Sequence, residues 1–491
     1  MGCNIWATID EGYLYPLIDI EVLPADTFKI NLETLCRAAT PVFPVMDNLY
    51  GEWQLFYIPD RLVWQNSEAF YGAGAASPDG YDTQFIRPVV KSPTGGFPRK
   101  SIFDYLGWPV GVSGYEADSI ALRMYNLIFN EFYRFQALQE ELPVPMGDQD
   151  DPNNYKLVRR CKAPGYFTRA LPSPQRGPGV EIPIAGDLNV GFRLADGSDS
   201  SPLAIGNVSG AGTATVYYAP GHQITPGGSI YDLKAFAGSS ASATINSLRQ
   251  AFQVQKMHEK DARGGVRYTE ILRNHFNVTS PDARLQRPEY LGGTGFLINT
   301  FPVAQTSATS QDSPLGQLGA YQTSYKYKKN IIKKSFIEHG HIIGLFSIRT
   351  QPTFQQGLPR MYSRKTRDDF YWPSYAHLGE QAVLNKEIYT QGTDVDEEPF
   401  GYNERYSEYR YMQNKVCGDF RSGANSLDSW HYAYDFANLP TLNSQFVQED
   451  APIERTLAVQ SESQFLLMST LHVVAHRPMP VRGTPGLIDH F

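Results

Sequence analysis

The chain has 491 residues, 42% hydrophobic and 19% charged, which describes a folded protein rather than a disordered one. A net charge of −8 excludes a protein that is basic throughout, so contact with nucleic acid needs a local patch or a separate basic partner. Length suggests about three domains, although an all-β fold can run longer as one.

Residues 13–35 read as strand, with Ile18, Ile20 and Val22 alternating with Asp19 and Glu21 until Pro24 ends the run. An extended link over Thr40–Pro44 leads to a second strand over 50–58, where Trp53, Leu55 and Tyr57 share a face. Residues 71–117 read as loop, and a loop this long is usually functional or packed against a partner. A helix is predicted over Ile120–Leu138, capped by Asp118 or Ser119, with Leu122, Tyr125, Ile128, Phe129 and Phe132 on one face. Residues 155–171 look strand-like, and the Pro/Gly-rich run 172–179 punctuates the chain. Residues 180–243 turn to Gly, Ala, Ser and Thr, as an inserted surface module does. Ser247–Lys260 reads as helix, with Leu248, Phe252 and Met257 expected to pack in the core. Domain boundaries follow: 1–179 opens a β core with loops and a helix, 180–243 is the insertion, and 244–491 completes the core.

The stretch Asp261–Gly293 is the densest in signals. Gly264-Gly265 marks a turn. A short helix follows, with Tyr268, Ile271, Leu272, His275 and Phe276 on one face and Asn277 as its stop. Arg263, Arg267, Arg284 and Arg287 are set to form planar forks with carboxylates and carbonyls, between subunits or within their own loops, with Tyr290 beside them. Residues 294–325 read as loop. Lys326, Lys328, Lys329, Lys333 and Lys334, interleaved with Tyr325 and Tyr327, then form the strongest basic cluster. Single-stranded DNA is bound by such a combination, through stacking and phosphate neutralisation, yet lysines also guard solvated sheet edges. Glu338–Arg349 reads as a central strand, with Ile342, Phe346 and Ile348 on one face and His341, Ile343 and Leu345 on the other. Residues 350–415 are Tyr-rich loop, and 464–477 form a last strand.

No catalytic site, metal site or cofactor is expected. There is no nucleophile elbow, phosphate loop or dinucleotide fingerprint. His339 with His341, and His472 with His476, fall short of the three or four ligands a metal needs. The doublets Asp150-Asp151 and Asp368-Asp369 point to opposite faces on a strand and read as turn or ion-pair groups. Cys3, Cys36, Cys161 and Cys417 have no CxxC spacing, which fits assembly in a reducing cytosol. No secretory signal or membrane-spanning run is seen, and Trp6 stands where myristoylation wants Ser or Thr. The 30 Tyr suit interfaces that bury a ring and wet a hydroxyl, or a Tyr-rich β fold with no partner.

The run DARGGVRYTEILRNHF…SPDARLQRPEYLGG closely resembles the major capsid proteins of the Microviridae, small single-stranded DNA bacteriophages, and most of all their gokushovirus branch. TPVFPVMDNLYGEWQLFYIPDRLVW, MYNLIFNEFYRFQALQ, TRDDFYWPSYAHLGEQAV and FGYNERYSEYRYMQNKVCGDFRS extend the resemblance over about residues 13–450. It implies an eight-stranded antiparallel jelly roll with long loop insertions and a few short helices. It also implies self-association into a small icosahedral (T=1) shell around circular single-stranded DNA, assembled in the bacterial cytoplasm. The implied partners are copies of the chain, the genome directly or through a small basic protein, scaffolding or other virion proteins, and a host receptor met by the 180–243 insertion. The physical reading agrees. Eight ordinary strands use only ~50–80 residues, and ordering the remaining loops costs ~1–2 kcal/mol per residue, which packing against sister subunits would offset. A β-rich carbohydrate-binding or carbohydrate-active protein is the alternative; it would need paired carboxylates across a cleft and aromatic platforms. A cyclic tail or spike protein is a second.

Overall fold

The computed structural model describes residues 2–72, 85–180, 245–304, 306, 318–423 and 426–479, plus the backbone of four short strands between 188 and 237. Two units separate: Met1–Pro174 with Asp261–Phe491, and Gln175–Lys260.

The first unit is built on one eight-stranded antiparallel sheet. Its strands are β1 (Gly2–Ile9), β2 (Tyr15–Val22), β3 (Thr27–Ala38), β4 (Leu49–Pro59), β5 (Glu289–Ala304), β6 (Leu318–Ser335), β7 (Gly340–Thr350) and β8 (Phe465–His476). Their order, β1-β8-β3-β6-β5-β4-β7-β2, is that of a jelly roll, in which β1-β8-β3-β6 and β5-β4-β7-β2 form the two facing halves. The core lies between them. Alternation is the cause: β3 buries Phe28, Ile30, Leu32, Thr34 and Cys36 and turns Lys29, Asn31, Glu33 and Leu35 outward. Trp53 of β4 bridges the halves, donating from Nε1 to Thr34 Oγ1 of β3 at 3.0 Å.

As its sequence suggests, β7 is buried on both faces. Ile342, Phe346 and Ile348 join the inter-sheet core, whereas Ile343 and Leu345 join a second core with Phe56, Ile58, Trp64, Phe97 and Phe103. Helix α1 (Ile120–Ile128) lies in that second core, and Asp118 rather than Ser119 caps it, through Ile120 N–H at 2.9 Å. Buried Arg123 on α1 is fully committed, to Asp150 (2.7 Å) and to the carbonyls of Val63 (3.0 Å) and Gly147 (2.7 Å).

Several sequence expectations change. The helix expected to reach Leu138 stops at Ile128 and passes into a π-turn over Phe129–Tyr133. Asn130 bonds both N–H and C=O of Leu142 at 2.8 Å, which turns the chain back. Residues 155–171 form no strand, only isolated bridges such as Tyr13 to Arg159 and Cys161 to Gln448. The expected loop 294–325 is largely strand, because β5 and β6 run through it. The loop over 350–415 contains a hairpin, Glu380–Leu384 with Pro399–Glu404, and β1 was not legible.

In the second unit, Leu188–Arg193 pairs with Asp232–Ala237, and Tyr217–Tyr218 with His222–Gln223. The rest of the expected 180–243 insertion lies outside the described residues. Among the described residues, helix α2 (Ile245–Gly264) buries none of its own, so Leu248, Phe252 and Met257 are not in the core position the sequence suggests.

Candidate assembly and genome-contact surfaces

Helix α3 (Tyr268–Phe276) carries the central stretch. Asn277 ends it in the left-handed conformation (φ 55°), and Glu270 reaches back to the Arg267 N–H at 3.1 Å. The expected apolar face is not a core face: no α3 residue is buried, and Tyr268 and Phe276 are exposed. Arg267 binds Glu270 at 3.0 Å and the carbonyls of Asn130 (2.8 Å) and Arg134 (3.0 Å), tying α3 to the π-turn. Arg287 pairs with Asp282 at 2.9 Å and lies 4.4 Å over the Phe132 ring. Arg263 pairs with Glu380 of the hairpin, and with Glu404 at 3.7 Å. Arg284 is exposed and has no ion pair among the described residues. Tyr290 packs its ring 5.5 Å from Phe56.

The basic cluster falls on β6, where alternation divides it. Tyr325 and Tyr327 pair with Leu35 and Glu33 and face outward, whereas Lys326 and Lys328 pair with the inward residues Thr34 and Leu32. A bulge follows, with Asn330 at φ 52°, and Lys329 is exposed beside it. Lys333 then stands directly opposite Lys29 on the outer face, while Lys334 pairs with Glu289. Like charges directly opposed across a sheet are destabilising, and neither Lys29 nor Lys333 has an ion pair among the described residues.

Among the described residues, nothing covers the outer face of β1-β8-β3-β6. One row crosses all four strands: Trp6, Met468, Leu35 and Tyr325, in register. Trp6 is 71% exposed and Tyr325 62%. Leu466 and Tyr327 flank the row, Val474 lies farther along β8 opposite Lys29, and Tyr321 stacks on Phe301 of β5 at 5.2 Å. A contiguous apolar patch on a monomer marks an interaction site. The apolar run on both parities of FLLMSTLHVVAH was the available signal for it.

A second surface, with Tyr362, Phe370, Tyr371 and Tyr409 exposed, spans 358–412. Arg364 lies 4.2 Å over Tyr409, Arg367 4.4 Å over Trp372 and Arg405 5.1 Å over Tyr406. Arginine, tyrosine and tryptophan are the residues that protein interfaces concentrate.

His339, His341, His472 and the carboxylate doublets have local partners. His341 Nδ1 meets Asp19 at 2.7 Å, His339 stacks on Tyr71 at 3.9 Å, and His472 lies 4.0 Å from Glu33. Asp150 holds Arg123, Asp151 caps a turn at Asn153, and Asp369 caps one at Thr366. A cavity of about 330 Å³ between Tyr50, Tyr166, Tyr411 and Arg349 has no carboxylate in its lining, so it lacks the paired acids of a glycosidase.

The sequence profile of a family described as capsid protein (F protein) matches residues 1–487. Capsid protein VP1 of Chlamydia phage 1 is 42% identical over 558 residues, covering 98% of this chain and 94% of that one. Capsid protein VP1 of Bdellovibrio phage phiMH2K is also 42% identical, over 97% of this chain and 93% of its own length. VP1 of Spiroplasma virus 4 is 32% identical, with coverage of 97% and 92%. With its jelly-roll core, its bare sheet face and relatives matched along nearly their whole length, this chain belongs to the phage capsid protein (F protein) family, in its gokushovirus-type branch.

Proposed function

We propose that this capsid protein closes with copies of itself into a small icosahedral (T=1) shell around circular single-stranded DNA, with the bare half of the jelly roll turned to the genome. The opposed Lys29 and Lys333, without an ion pair among the described residues and on the same outer face as the exposed aromatic row, carry this reading. Phosphates relieve the repulsion between the two lysines, and bases stack on Tyr325, Tyr327 and Trp6. Lys329 at the bulge joins them, while Lys326, Lys328 and Lys334 sit on the other parity and contribute less. The arginine-aromatic surface over 358–412 supplies subunit contacts, and Arg263, Arg267 and Arg287 brace the loops that present α3.

The 180–243 insertion serves as the contact with the host receptor. Assembly takes place in the bacterial cytoplasm with scaffolding or other virion proteins, and a small basic protein assists where the shell's own lysines are too few.

The test is the double variant Lys29→Glu with Lys333→Glu, expressed with the other virion components. Particles that form normally but carry severalfold less DNA, judged by the ratio of absorbance at nucleic-acid and protein wavelengths, support the reading. Full DNA content in normal particles sinks it.

A further inference from the structure

One buried pair takes no part in the surfaces above. Glu11 follows β1, and Glu449 lies in the segment leading to β8; they are 2% and 0% exposed. Three segments meet there. Glu449 N–H donates to the Arg160 carbonyl at 2.8 Å, and Arg160 N–H to that of Gly12 at 2.8 Å. The approach is close enough that a Cβ on Gly12, at φ +82°, would stand 2.4 Å from the Glu449 carbonyl oxygen.

Each carboxyl group is half satisfied. Glu449 Oε1 accepts from the Thr350 N–H (3.0 Å) and hydroxyl (2.7 Å), at the end of β7. Glu11 Oε2 accepts from Ala451 N–H at 3.2 Å, with Arg159 3.9 Å away. Glu11 Oε1 and Glu449 Oε2 are buried and find no donor, although the two carboxyl groups lie within hydrogen-bond reach of each other.

The charged and titratable groups that face the pair are Arg159, Lys162, Asp450 and Tyr434. Arg159 Nη1 is committed to the Glu449 carbonyl and to Asp450, at 2.7 Å each. Lys162 Nζ donates to the carbonyls of Phe446 and Gln448 at 2.6 Å and sits 4.7 Å over the Tyr434 ring. Neither cation hydrogen-bonds the two orphaned oxygens. Two neighbouring carboxylates in a dry interior, each with an orphaned oxygen, repel and lack hydrogen bonds.

We propose that Glu11 and Glu449 share one proton, carried on Glu11 Oε1 and donated to Glu449 Oε2, and that this bond latches the N-terminal segment to the segment before β8. One proton satisfies both orphans. Burial first, and Glu449 next, hold the Glu11 carboxyl well above the usual carboxylate range. A folded-state value raised above the unfolded one gives stability that is full in acid and is lost as pH rises towards the folded value. The latch therefore opens on alkalinisation. Lys162, pushed down by burial to about 8, titrates further up.

Glu11→Gln keeps the shape and an N–H donor but cannot ionise. Urea unfolding of the full chain and of this variant is compared between pH ~5 and ~7.5, above the usual carboxylate values and below Lys162. The parent's unfolding constant, relative to the variant's, is expected to rise up to about tenfold per pH unit. Parallel pH profiles would overturn the proposal. A second reading needs no variant to fold. The infrared carbonyl band of a protonated carboxylic acid should persist in the parent at neutral pH, and its absence would also overturn the shared proton.

Discussion

The two halves of the jelly roll solve the same problem differently. Both bury one face against the other, but among the described residues only β5-β4-β7-β2 has its outer face covered by its own chain. There Phe56, Ile58, Ile343 and Leu345 pack beneath α1 and the 85–128 loops. The outer face of β1-β8-β3-β6 carries Trp6, Leu35, Tyr325 and Leu466, all exposed among the described residues. Among the described residues, one half is covered by its own chain and the other is not. That division accounts for the long loops: part of their length is the cover for one half.

The largest expected effect lies in the covered half. Asp150→Ala leaves Arg123 charged and buried, and should cost about 3–5 kcal/mol in urea unfolding. The comparison itself is tested by making one substitution in each half. Leu345→Ala, in the second core, should cost about 2–5 kcal/mol. Leu466→Ala, on the bare face, should stay within about 0.5 kcal/mol. Equal costs would break the distinction. Trp6→Ser with Leu35→Thr should sharpen it from the other side, leaving the Tm of the free subunit nearly unchanged while the yield of filled particles on density gradients falls severalfold.

The smallest effect is one of pH. Burial alone would raise the Glu52 carboxyl, but Arg160 and Arg349, at 2.8 and 2.7 Å, hold it below the usual carboxylate range. A depressed folded-state value gives stability that is present above the unfolded value and lost as pH falls through the folded one. Glu52→Gln should therefore flatten the acid limb of a stability-pH curve and leave unchanged the alkaline limb assigned to Glu11.

The sequence was most legible where one residue's neighbours decide its conformation. The two apolar parities of β7, the span of α3 and its stop at Asn277 are all local signals. It was least legible where partners distant in sequence decide. β1 has little alternation of its own and becomes a strand because Gly2–Ile9 finds Phe465–His472. Residues 294–304 and 318–325 look like loop because Gly, Thr, Ser and Gln recur along them and even the buried Gln322 and Ser324 are polar, yet the ladders to β4 and β3 hold them extended. The lysine cluster was visible as composition, but its division by strand parity and bulge was not. Neither was the opposition of Lys333 to Lys29, nearly the whole core sequence away. The Glu11–Glu449 junction joins the two ends of the chain and leaves no trace in either segment alone.

The most direct measurement is an electron cryomicroscopy map of DNA-filled particles at side-chain resolution. The account predicts that the outer face of β1-β8-β3-β6 lines the interior, with nucleic-acid density against Trp6, Tyr325 and the Lys29–Lys333 pair. A map that places this face on the open exterior of the shell, with nothing packed on it, would contradict the central claim.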